Sequence, residues 1–288
     1  MRLAGKFLAS TSLGGVIRRV GQPKGIRWLN IIENIHDPKY DASCPIIAFS
    51  QGKRVNVPNL LRTIDKKELT IADVQQSIEY YYTPRSPYKI TLPSYLSGDL
   101  VYLIGVVMGD GTIVSPVKRK RGGYRWRISI TGEHDPLEFF AKIVASLFDY
   151  EPKIYRDARK KNTYSLVINS KVIYRYFTRV LRLKIGAKDE EYTVPKIIGS
   201  SNFFMHFLAG LFDTDGCVTA RAVKISQQSK LFLSELKMLT HHLLELEFKG
   251  PYLNKRTKNK EHWEIRIGAL RERERFFQKA PLRIKAPK

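Results

Sequence analysis

Two stretches of the chain are apolar at almost every position and end in the same way. Leu103-Ile104-Gly105-Val106-Val107-Met108-Gly109-Asp110-Gly111 returns as Leu208-Ala209-Gly210-Leu211-Phe212-Asp213-Thr214-Asp215-Gly216. Leu, Gly, Asp and Gly hold matching places, and β-branched residues follow each closing Gly (Thr112 and Ile113; Val218 and Thr219). Each copy predicts the end of a buried helix. The first run, from Asp99 to Met108, is too short to cross a bilayer, which needs about 20 apolar residues. Gly111 and Gly216 are expected in the left-handed conformation that closes a helix. Gly105 and Gly210 each cost about 1 kcal/mol inside a helix, so the expected compensation is a close approach of two helix backbones, copy against copy.

Behind each copy the pattern changes period. Tyr124, Trp126, Ile128 and Ile130 alternate with Arg125, Arg127, Ser129 and Thr131, which predicts a strand with one apolar and one polar face. Asp135–Phe148 has helical spacing (Leu137, Phe140, Ile143, Val144, Leu147), Lys153–Arg156 and Tyr164–Ile168 read as strands, and Lys171–Leu183 as a helix. The second half repeats that order: a strand at Ala222–Gln227 with Val223 and Ile225 inward, a helix at Lys230–Leu246, strands at Tyr252–Arg256 and Trp263–Ile267, and a helix at Arg271–Lys279. The expected fold class is α+β, with two pseudo-symmetric αββαββα repeats forming a saddle of antiparallel sheets beside a smaller N-terminal extension. The expected divisions are 1–92, 93–198 and 199–288.

The extension has a weaker pattern. Pro45–Phe49 predicts a strand, and Thr70–Ile78 a helix capped by Thr70. With Val57–Leu61 before it, this segment suits a small helical DNA-binding module and equally an accessory helical extension packed on the core. Pro84 to Pro93 predicts a linker punctuated by prolines. The first 32 residues hold Arg2, Lys6, Arg18, Arg19, Lys24 and Arg27 and no acid before Glu33. Such a stretch suits an organelle transit peptide and equally a basic arm lying on DNA, and Gly14-Gly15 with Gly21-Gln22-Pro23 weakens the first reading.

Charge narrows the partner. The 288 residues carry a formal net charge of +23, far beyond what solubility requires, so a polyanion is expected and nucleic acid before a membrane surface. Cys44 and Cys217 make neither a disulfide framework nor a zinc site and are expected as reduced thiols. The expected location is intracellular, in cytoplasm, nucleoid or organelle matrix. His241 and His242 are adjacent, point to different faces of a helix and are expected at the surface or in packing.

Asp110 and Asp215 raise an electrostatic problem. A helix C-terminus already carries partial negative charge, and two such ends side by side are worse. A cation relieves this. Carboxylates without a His or Cys ligand pattern suit Mg²⁺, which keeps its waters and takes one or two carboxylates plus substrate phosphates, with Mn²⁺ as the expected substitute. The spacing excludes an EF-hand loop, because Gly216 comes too early after Asp213. An aspartic-protease pair is excluded as well, since Asp215 interrupts Asp-Thr-Gly.

With these residues in place, the two nonamers resemble the paired signature of LAGLIDADG homing endonucleases in their single-chain, two-repeat form. Leu183-Lys184-Ile185-Gly186 through Val194-Pro195 resembles the segment leading into the second signature helix. The likeness covers about Ser97 to Phe277. It implies a monomeric, site-specific endonuclease that breaks both strands of duplex DNA and leaves short 3′ overhangs. It implies Asp110 and Asp215 as metal ligands, completed by the carbonyls of Gly109 and Thr214. It also places a polar residue that orders water at the end of each repeat's second strand; Gln227 fits that place, whereas the first repeat has Gly132, followed by Glu133. Met108 stands where the second copy has Asp213, a departure away from the metal ligands.

Sequence reading is expected from Arg125, Arg127, Lys224 and Arg266 on strand faces. Phosphate contact is expected from the hairpin cations Lys118, Arg119, Lys120 and Arg121, then Arg159, Lys160 and Lys161, then Lys255, Arg256 and Lys258. Two other readings of the same scaffold stay open: an RNA-binding maturase acting on intron RNA, and a regulator that binds DNA without cutting it. An intein origin is disfavoured by Met1 and the lack of a terminal His-Asn.

Overall fold

The computed structural model describes residues 29–35, 45–49, 53–66, 70–84, 86–120, 122–158, 160, 162–199, 201–257 and 260–285. Expectations for the N-terminal arm through residue 28 and for Cys44, Arg121, Arg159, Lys161 and Lys258 lie outside the described residues.

The first unit is a three-stranded antiparallel sheet, β2-β1-β3, made of β1 (Ile46–Phe49), β2 (Arg54–Asn56) and β3 (Ile78–Tyr82). Short helices accompany it: α1 (Ile31–Asn34), α2 (Val57–Lys66) and α3 (Ile71–Gln76). Asn56 starts α2 by accepting from Asn59 N with its side chain at 2.9 Å. Buried Gln75 ties α3 to α1, accepting from Ile31 N at 2.9 Å and donating to Leu29 O at 2.7 Å.

The expected helix through Ile78 is corrected: it stops at Gln76 and Ile78 opens β3. The apolar spacing of Ile71, Val74 and Ile78 suits a helix, but Tyr80, Tyr81 and Tyr82 prefer a pleated strand. The purely helical module is thereby replaced by a sheet with helices. Nor is 84–93 a free linker. Ile90 and Leu92 are buried, Ile90 bridges Tyr81, and Pro93 O accepts from the Tyr176 hydroxyl at 2.7 Å.

The two repeats follow in the expected order. The first comprises α4 (Gly98–Gly109), β4 (Gly111–Lys118), β5 (Tyr124–Gly132), α5 (His134–Phe148), β6 (Lys153–Arg156), β7 (Tyr164–Ile168) and α6 (Lys171–Arg175). The second comprises α7 (Ser201–Asp215), β8 (Gly216–Val218), β9 (Val223–Gln227), α8 (Lys230–Leu244), β10 (Lys249–Thr257), β11 (Lys260–Ile267) and α9 (Leu270–Lys279). Each contributes a four-stranded antiparallel sheet, β4-β5-β7-β6 and β10-β11-β9-β8. Within each repeat the strand order is therefore the same. The expected helix to Leu183 is corrected: after α6 the chain widens into a π-helical turn, Tyr176–Val180, and leaves the helix there. Tyr174, Tyr176 and Phe177 are all buried at this turn, so the widening serves their packing.

α4 is buried along Leu100–Gly109 and packs on α7. The contact is backbone against backbone, as the glycines predict. A Cβ on Gly105 would overlap Phe207 O and lie 2.7 Å from Leu211 N; one on Gly210 would overlap Tyr102 O and lie 3.1 Å from Val106 N. Each copy's glycine is thus the socket for the other helix. The left-handed caps are corrected: Gly111 and Gly216 are not among the residues with positive φ. Each instead opens a strand hard against its own helix, where a Cβ on Gly111 would meet Val107 Cα at 2.6 Å and one on Gly216 would run into Phe212. Absence of a side chain, not handedness, is what the position requires.

Among the described residues no helix is long and apolar enough to cross a membrane.

Candidate metal centre and nucleic-acid surface

The packing of α4 on α7 brings the two helix ends together. A Cβ on Gly109 would lie 3.0 Å from Asp215 Oδ2 and would overlap the Thr214 hydroxyl. Asp110, at the C-cap of α4, is exposed; Asp215, the last residue of α7, is half-buried. Although Asp110 keeps an exposed edge, desolvation by the protein packed around it raises its carboxyl above the ordinary range, with Lys188 and Lys285 opposing. Burial pushes Asp215 to about 7; Lys188 and Lys285 pull it down, and Asp110 adds to the rise. A desolvated carboxylate whose ionisation is further held back by a second carboxylate beside it is a fit for a divalent cation. The donor set is hard oxygen, the choice of Mg²⁺ or Mn²⁺ over softer metals.

The strand registers settle which residues correspond. Gly111 pairs with Ile130 on β5, and Gly216 pairs with Ile225 on β9. Two residues further along each strand stand Gly132 and Gln227, so these two positions correspond. Gln227 is buried and donates to Asp215 Oδ2 through Nε2. Gly132 has no side chain to do the same for Asp110. Asp110 is met instead by a backbone contact, Thr131 N donating to its carbonyl at 3.3 Å. The two halves are chemically unequal.

Two cations that the sequence did not single out reach this centre. Lys188, half-buried on the loop after the π-turn, loses basicity through burial while Asp215 and then Asp110 restore it. Lys285 Nζ donates to Thr214 O at 2.7 Å and Gly216 O at 2.6 Å. Thr214 O, implied as a metal ligand, is thus shared with an ammonium group. Both lysines come from irregular segments in a chain with 50 Lys and Arg, so no periodicity marks them.

The basic residues spread over the two sheets. Lys118, Arg119 and Lys120 are exposed at the β4–β5 turn, which Gly122 and Gly123 close with positive φ. Arg125 is exposed on β5; Arg127 is half-buried there, and its Nε is buried without an acceptor. Lys160 is exposed in the β6–β7 turn, and Lys255 and Arg256 lie on β10. On the second sheet Lys224 pairs with buried Glu264 at 3.4 Å. Arg266 is exposed, sits 4.7 Å over the Tyr252 ring and reaches Glu264 at 4.0 Å. Exposed Tyr124, Tyr155 and Tyr252 add flat surface to these sheets. His241 and His242 are exposed, His241 pairing with Glu247 at 2.6 Å.

Paired signature helices beneath two antiparallel sheets define a class. Residues 203–281, most of the second repeat, match the family model described as a LAGLIDADG-like domain. Among solved structures, variants of the homing endonuclease I-DmoI share this fold at 22% identity and a TM-score of 0.53, over 66% of this chain and 95% of that one. I-DmoI in complex with DNA and Ca is similar at 20% identity and a TM-score of 0.51, with the same coverage of both chains. No curated protein sequence matches.

Proposed function

We propose that the protein is a metal-dependent endonuclease that cuts both strands of a specific duplex DNA site and acts as a monomer. The observation that carries the reading is the packing of α4 on α7, which sets Gly109 against Asp215 and makes Asp110 an electrostatic neighbour of Asp215. A protein that only binds has no chemical reason to hold two carboxylates against each other at negative helix ends. The DNA complex with Ca is a property of I-DmoI; its extension to this chain rests on the shared fold and on this pair.

In this reading Asp110 and Asp215 hold divalent ions, with the carbonyls of Gly109 and Thr214 as further oxygen donors. Such ions supply a nucleophilic water at neutral pH, neutralise the phosphorane's charge and stabilise the leaving oxygen. The chain's own groups do the rest. Gln227, fixed on Asp215, orders water on one side. Lys188 and Lys285 place positive charge beside the scissile phosphates. Arg125, exposed on β5, is suited to a base edge in the major groove, and Arg127 lies two residues along the same strand. Lys118, Arg119, Lys120 and Lys160 hold phosphates. We assign the two catalytic repeats to 93–198 and 199–288 and treat 1–92 as an accessory unit.

The decisive experiment selects cleaved molecules from a randomised duplex library in Mg²⁺. One long preferred site, broken on both strands, is expected, with no product in EDTA. A library left intact at every metal tried would overturn the nuclease reading and leave the DNA-binding regulator. Binding carries its own signature. If about six phosphates are neutralised, affinity should fall by about 10³ between roughly 50 and 200 mM salt. Affinity independent of salt in gel-shift titrations would refute the basic surface as the duplex contact.

A further inference from the structure

Asp213 is almost completely buried, yet it has no place in the metal centre. Its carboxylate is spent on the chain's last described residues. Oδ2 accepts from the Tyr102 hydroxyl at 2.6 Å, from Arg283 N at 2.8 Å and from Ile284 N at 3.2 Å; Oδ1 accepts from Lys285 N at 2.8 Å. Three successive amides of an irregular segment therefore converge on one carboxylate, the arrangement in which backbone N–H groups form an anion cradle. The segment is tied to the opposite signature helix as well. Arg283 Nη2 donates to Asp99 Oδ1 at 2.6 Å, and its guanidinium lies 4.4 Å over the Tyr102 ring. From the last of these three residues, the Lys285 side chain turns in to the carbonyls on either side of Asp215.

From this geometry we infer that Asp213 is a positioning residue, which anchors the 283–285 tail so that the Lys285 ammonium stands at the Asp215 half of the centre. The inference rests on the nuclease reading for its effect on rate, though not for the anchoring itself. It also gives a reason for the mismatch between the two nonamers. Met108 occupies the matching place in the first copy and is buried and apolar. Lys188 comes instead from a loop tied within itself, where Asp189 pairs with Lys184 and accepts from Glu191 N at 3.1 Å, and where Gly186 N donates to Ile113 O at 2.8 Å. Only one half has a tail to hold.

Asn in place of Asp213 keeps the shape and breaks the anchor. Both carboxylate oxygens accept, so whichever way the amide is turned its NH₂ confronts an N–H or O–H donor. Full-length wild type, Asp213→Asn, Lys285→Met and the double variant are to be compared on one duplex target, with the two strands labelled separately. Displacing a catalytic-centre charge by about 1 Å costs about 10²-fold. Asp213→Asn should therefore slow cleavage about 10- to 100-fold, unequally on the two strands, with duplex affinity unchanged. The double variant should be no slower than Lys285→Met within about threefold, because the two residues act as one. Losses that multiply, or Asp213→Asn cutting at the wild-type rate, overturn the inference.

Hydrogen exchange judges the anchor independently of cleavage. Protection of amides 283–285 should fall at least about tenfold in Asp213→Asn, and equal protection sinks the proposal. If the wild type cuts no DNA, the nuclease reading fails while this arm still decides the anchoring. Should Asp213→Asn not fold, Ile284→Pro deletes one donor from the tail side and must loosen the neighbouring amides in the same direction.

Discussion

Asp215→Asn is expected to abolish double-strand cleavage, with linear product from a plasmid target falling at least about 10³-fold, or about 4 kcal/mol of barrier. The substitution is nearly isosteric. The Asn oxygen can still accept from Gln227, so the packing of α7 against β9 is kept and the protein should fold. What disappears is the charge. Asp215 is the carboxylate most hemmed in by protein and by its twin, and its ionised form is the one a divalent ion captures. Without it Asp110 faces Lys188 and Lys285 alone, two fixed cations that already neutralise it, and the demand for a metal ion vanishes. Duplex affinity should change by no more than about threefold, because the phosphate contacts belong to the turns and strand faces of the two sheets. Asp110→Asn should behave the same way on the exposed side. Plasmid linearisation and gel shift, run side by side, separate the two effects; either variant linearising at the wild-type rate removes these residues from the centre.

The doubled nonamer made this centre legible because two constraints act on it at once. Gly105 and Gly210 are dictated by backbone contact, and Asp110 and Asp215 close the same two helices five residues later, so both pairs keep the same spacing in the sequence. Gln227 and Gly132 came from the family resemblance alone, and the strand register then shows both two residues beyond the partner of the closing glycine. Lys188 and Lys285 obey no such rule. They are held by irregular backbone, and a lysine in a chain this basic carries no information until the fold brings it to a carboxylate. Asp213 lay between these cases. Its mismatch with Met108 was visible, but its role depends on amides about seventy residues away, a contact no local pattern encodes. In the N-terminal sheet β1 was legible, and β2 and β3 escaped for a different reason. β2 has three residues, too few to show alternation, and Ile71, Val74 and Ile78 happen to lie at helical spacing although a turn at Ser77 separates helix from strand.

The second large effect concerns stability. Gly210→Ala raises intrinsic helix propensity by about 1 kcal/mol, so an isolated α7 would gain from it. In the protein the new methyl has no room: it overlaps the Tyr102 carbonyl oxygen and crowds Val106 N, and neither is a side chain that can swing aside. The helices must part, and overpacking of this kind costs about 3 kcal/mol or more, a large share of a native stability of about 5–15 kcal/mol. Packing therefore outweighs propensity, and the urea midpoint should fall. Gly132→Ala is the contrast, since its methyl would meet only Leu137 at an ordinary 3.8 Å and should leave the midpoint within about 0.5 kcal/mol of wild type. Gly105→Ala should repeat the Gly210→Ala loss, because its methyl overlaps Phe207 O across the same seam. The pair combined should lose clearly less than the sum of the two: once one methyl has wedged α4 from α7, the second enters space already opened. Additive losses would mean that the glycines face separate neighbours, and an unchanged midpoint for Gly210→Ala would mean that the two signature helices do not touch there at all.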